Sequence, residues 1–118
     1  MPRKTAKMSK RSGIRLSQAR FRELVEDATV DAWGESEEVV GWMTMIEENV
    51  GFPFQSELLG VDVTVVGVDV TDASELVAVC RKGKNRLKIP LADLPMPSPP
   101  PEGAEWMEAF LRWRKGSQ

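Results

Sequence analysis

Hydrophobic spacing divides this chain into a helical third, a strand-rich middle and a short helical end. Phe21, Leu24, Val25 and Ala28 recur at three- and four-residue intervals, one apolar stripe of a helix. Ser17 is a plausible N-cap, and the pattern predicts a helix to about residue 32, ended by Gly34. Ser36 can cap a second helix to about Asn49, with Val39, Trp42, Met43, Ile46 and Val50 as its stripe. Gly51 then stands where a helix end favours glycine, and Phe52-Pro53-Phe54 turns the chain out of the helix.

From Phe54 the period changes to two. Val61, Val63 and Val65 alternate with Asp62, Thr64 and Val66. Leu76 to Cys80 is a short β-rich run, residues 81–86 read as a polar hairpin turn, and Leu87, Ile89 and Leu91 alternate again. Four or five short strands suit a small antiparallel barrel of SH3-like or similarly open form. Five prolines between Pro95 and Pro101 predict an extended strap. Residues 102–115 close the chain as an amphipathic helix with Trp106, Ala109, Phe110 and Trp113 on one face. The expected fold class is therefore α+β: two N-terminal helices, a small SH3-like antiparallel β-barrel and a C-terminal amphipathic helix. Residues 16–118 form a single acidic domain, and residues 1–15 a disordered basic tail.

Charge changes this picture most. Between Glu23 and Glu75 there are fourteen acidic residues and no lysine or arginine. Carboxylates at that density repel one another and lower stability unless salt, solvent or a bound cation offsets them. Residues 1–15 carry six cations and no acid, which leaves −8 on the rest of the chain. Such a tail can fold back on the body or reach for another polyanion.

The acids are also ordered. Glu23, Asp27 and Asp31 are four apart and stack on one face of the first helix. Glu35 follows in the turn, and Glu37 and Glu38 open the second helix, where its dipole favours them. Glu47 and Glu48 lie near its other end, where the dipole does not. An antiparallel helix pair brings Asp31, Glu35, Glu37 and Glu38 together at the connection. Calcium takes six to eight oxygen ligands, which carboxylates, carbonyls and water supply. With no histidine and one cysteine, the usual zinc or copper site is nearly excluded, and no EF-hand loop is present.

Other residues have ordinary readings. The four tryptophans are read as core, with a ligand-stacking platform as the alternative. Phe52 and Phe54 are read as a plug between barrel and helices. Cys80 is read as an inert buried thiol, which fits a cytoplasmic location, and the histidine a nucleophile would want is absent. Residues 81–86 read as a polar hairpin tip that could also touch phosphate. No apolar run approaches the ~20 residues that span a bilayer, so no membrane contact is expected.

The run Val30-Asp31-Ala32-Trp33-Gly34-Glu35 is followed in order by Glu38, Gly41-Trp42, Glu47-Glu48, Phe52-Pro53-Phe54, Ile89-Pro90-Leu91, and then Trp106 and Trp113. This ordered combination resembles the bacterial CcbP-type calcium-binding proteins over roughly residues 22–115. Two features depart from that pattern: Met43, Thr44 and Met45 stand where the family is tyrosine-rich, and the basic tail is not a family feature. The resemblance implies reversible calcium binding by carboxylates, in a buffering or signalling role, without catalysis. Asp31 and Glu35 are the first candidate ligands, at the break between the helices and within the family-like run. Glu38, Glu47 and Glu48 come next, and Glu57, Asp62, Asp72 and Glu75 stand in reserve. The alternative reading is a small-barrel interaction module whose basic tail binds nucleic acid or a protein partner.

Overall fold

The computed structural model describes residues 15–116. Three helices pack on one four-stranded antiparallel sheet, so the α+β class holds. The tail expected over residues 1–15 lies, apart from Arg15, outside the described residues.

Helix α1 runs Gln18–Thr29, and its N-cap is Ser17, whose Oγ accepts the Arg20 amide at 3.0 Å. Its stripe packs as the spacing predicts, with Leu24 and Ala28 buried and Phe21 and Val25 against the core. Helix α2 runs Glu35–Asn49. Its N-cap is Gly34 at φ 106°, so the helix opens before the expected Ser36 cap. Glu35 is then the first helical residue rather than a turn residue. At the far end Val50 is the C-cap, and Gly51 adopts no left-handed conformation. The Gly51 amide instead donates to the Glu102 carbonyl at 2.9 Å, which ties the helix end to the proline strap.

Strands β1 (Phe54–Leu58), β2 (Val61–Val70), β3 (Leu76–Lys82) and β4 (Asn85–Pro90) form a simple meander in the order β1-β2-β3-β4. The two end strands do not pair, so the sheet is open where a small SH3-like barrel was expected. A register shift between Val65 and Gly67 marks a bulge in β2. It lets the strand keep Val63, Val65 and Val68 buried across a break in strict alternation. After β4 a 3₁₀ turn, Leu91–Asp93, leads into the strap. The strap is pinned where Ser56 Oγ donates to the Pro95 carbonyl at 2.7 Å.

Helix α3, Ala104–Gly116, closes the core. Trp42 from α2 meets Trp106, Phe110 and Trp113 of α3 with ring centroids 5.7–6.3 Å apart. Phe52 and Phe54 stack at 5.7 Å, Phe54 buried and Phe52 packed on the core. Cys80 is buried on β3, and burial pushes its thiol above the ordinary range. Trp33 departs from the core reading, being 86 % exposed. Among the described residues no helix is long and apolar enough to cross a membrane.

Candidate metal centre

Helices α1 and α2 approach so closely that a Cβ at Gly41 would lie 2.0 Å from the Ala28 carbonyl oxygen. Only glycine permits that contact. The close crossing sets the position of the short connection, residues 30–34, against the sheet. Asp31 in this connection has φ 65°, a left-handed conformation that Asp and Asn tolerate better than most residues. Asp31 has therefore left the helix. The four-residue stack with Glu23 and Asp27 stops at Asp27, the last of the three within α1.

The connection faces the turn between β2 and β3. That turn is closed by Thr71 N–H donating to the Glu75 carbonyl at 2.9 Å and Ser74 N–H to the Thr71 carbonyl at 2.9 Å. Between the two lies an open groove of about 530 Å³. Its polar lining comprises Asp31, Ser36 and Glu37 on the helical side and Thr71 and Ser74 on the sheet side. All five side chains offer oxygen. Glu37 is held in place by the Trp33 amide, which donates to its Oε1 at 2.8 Å. A carboxylate has about four acceptor sites, so this bond leaves most of Glu37 available to a cation. The donor set fits a hard ion such as calcium, with backbone carbonyls and water completing the shell.

The five residues singled out from sequence do not gather at one point. Asp31 lines the groove. Glu35 and Glu38 share the first turn of α2 with Glu37. Glu35, however, is ion-paired with Arg114 of α3. Glu47 and Glu48 are exposed in the last turn of α2, about 18 Å further along its axis. Of the reserve acids, Asp72 and Glu75 sit in the β2–β3 turn, while Glu57 and Asp62 face each other across β1 and β2. No three Asp, Glu, His or Cys side chains form a ready-made cage among the described residues. The sequence places Glu37 at the connection, and the candidate ligands drawn from it do not include this residue. Thr71 and Ser74 were not anticipated, because nothing local in the sequence says which loop the connection meets.

Electrostatically the acidic segment is only partly offset. Arg20 binds Glu23 at 2.9 Å and Glu105 at 3.0 Å, and both carboxylates hold its guanidinium pKa above the ordinary value. Lys88 binds Asp69 at 2.9 Å and, with the Val70 amide, holds that carboxyl below the ordinary range. Arg114 takes Glu35. The other eleven acids between Glu23 and Glu75 have no cationic partner among the described residues.

No curated protein matches the chain. Two solved structures do. The crystal structure of Anabaena CcbP aligns with a TM-score of 0.66 at 18% identity, over 85% of this chain and 92% of that one. A calcium binding protein in its calcium-binding form aligns with a TM-score of 0.64 at 16% identity, over 86% and 93%. Both likenesses show the fold. At the level of sequence, the CcbP family, described as calcium binding, matches residues 22–114. That match takes in most of α1, all of α2 and the sheet, and nearly all of α3, and the chain belongs to the CcbP family of calcium-binding proteins.

Proposed function

We propose that this chain binds calcium reversibly in the groove between the α1–α2 connection and the β2–β3 turn. Asp31 and Glu37 are the charged ligands. Ser36, Thr71 and Ser74 supply neutral oxygens at the rim, and carbonyls and water complete the shell. Glu35 and Glu38 adjoin the site and add to its negative potential. Glu47 and Glu48 lie outside it. The observation that carries this reading is the meeting of Asp31 and Glu37 in one groove whose polar side chains offer only oxygen. A left-handed connection and a helix start make an irregular cage. Calcium accepts irregular geometry, whereas magnesium demands a near-ideal octahedron and releases water reluctantly.

The role we infer is buffering or signalling in the cytoplasm, without catalysis. Solvent-exposed ligands favour exchange with free ion. The lone buried thiol of Cys80 suits a reducing compartment. Isothermal calorimetry with calcium, then magnesium, tests the proposal. Calcium should bind with the higher affinity; equal affinities, or no calcium binding, would remove it.

A further inference from the structure

We propose that the sheet end bearing both hairpin tips is a self-complementary surface through which two copies of this chain pair about a twofold axis. The strand register places Glu57 opposite Asp62 and Arg81 opposite Arg86. Ser56, Val63 and Cys80, the strand neighbours of Glu57, Asp62 and Arg81, are buried, and Arg86 pairs with Arg81, so all four charged side chains lie on the sheet face turned away from the core. Each pair sets like charges directly across a ladder, an arrangement that destabilises a sheet. None of the four makes an ion pair among the described residues. Two negative strands therefore lie beside two positive strands, spanning about 15 Å at ordinary strand spacing. A twofold rotation sets the acidic half of one copy against the basic half of the other. Two such contacts form at once, as an isologous interface requires.

The tip beside the acidic pair carries a second cost. Leu59 and Gly60 occupy the two-residue turn at φ 52° and φ 82°. Positive φ at both positions is the type I′ arrangement, for which Asn-Gly is strongly preferred. Leucine there is strained, and Leu59 is also fully exposed with Val61 half exposed beside it. An apolar side chain held out on a strained turn, beside unpaired charge, is accounted for if it is covered in the dimer. Lysine and arginine on the β4 edge also discourage uncontrolled strand pairing. That role does not extend to Arg81, which lies on the inner strand β3, or to Leu59.

Sedimentation velocity on the full native chain tests the proposal, independently of calcium because none of these residues lines the metal groove. A concentration-dependent dimer is expected at low ionic strength, dissociating at high salt. The chain carrying Arg81→Glu and Arg86→Glu, and the chain carrying Glu57→Lys and Asp62→Lys, should each be monomeric alone. Mixed, they should form a heterodimer. At high salt, where both chains are monomeric, Leu59→Asn should melt at a higher temperature than the native chain, and at low salt it should lose the dimer. A native chain monomeric at every concentration, assemblies larger than a dimer, charge variants that dimerise alone or fail to pair when mixed, or a Leu59→Asn chain that dimerises normally would each overturn it.

Discussion

Arg114, in the last turn of α3, is ion-paired with Glu35, the first residue of α2, across seventy-nine positions of sequence. The pair links the closing helix to the acidic connection. It puts an internal cation beside the place where the external one is proposed to bind. Both groups are partly solvent-exposed, so the pair contributes less than about 1 kcal/mol to stability. Its larger effect is expected on the proposed calcium site. Arg114→Gln should leave the melting temperature nearly unchanged and raise calcium affinity by up to about fivefold, the equivalent of about 1 kcal/mol. Calorimetry at low ionic strength measures this. An unchanged affinity would place Glu35 outside the electrostatic reach of the ion.

Gly41 fixes the distance between α1 and α2, because a methyl group there would collide with the Ala28 carbonyl. Gly41→Ala should cost about 1–3 kcal/mol, the usual range for forcing atoms into a packed contact. Denaturant unfolding measures that loss. Because the same separation moves the connection away from the β2–β3 turn, calcium affinity should fall as well.

The Asp69–Lys88 pair gives a pH dependence with a definite sign. Lys88 and the Val70 amide stabilise the ionised carboxylate, so its folded pKa is depressed. Its contribution is therefore present above the ordinary value of 3.8 and is lost as pH falls through the lower folded value. Unfolding free energies of the native chain and Asp69→Asn should differ near neutral pH. The difference should close as the solution is acidified below that range. A difference that persists in acid would point to packing rather than charge.

Local features of the fold were legible and long-range ones were not. Ser17 was readable as a cap because capping is a contact three residues away, and the stripe through Leu24 and Ala28 is a property of one helix. The start of α2 lies before Ser36 because the chain turns into the helix at Gly34 with φ 106°, a conformation glycine adopts without strain. Sheet closure depends on the distance between β1 and β4, which alternation does not encode. The acidic connection is where Asp31, Glu35 and the family-like run lead one to expect a site, and it is where we propose the ion binds. Its other wall, Thr71 and Ser74, depends on how α2 packs on β2. Arg114 and Glu35 meet only because the aromatic contacts of Trp42 seat α3 against α2.

Where the ion binds is decided by paired substitutions at the two ends of α2 and in the connection before it. Asp31→Asn preserves size and tolerates the left-handed backbone, and Glu37→Gln preserves size at the helix start, so both should fold. Calorimetric calcium titration of a chain carrying both changes should show binding lost or weakened more than tenfold, the equivalent of about 1.4 kcal/mol. A chain carrying Glu47→Gln and Glu48→Gln should titrate like the native protein. If the second chain loses calcium while the first retains it, the ion sits at the opposite end of α2 and the account is contradicted.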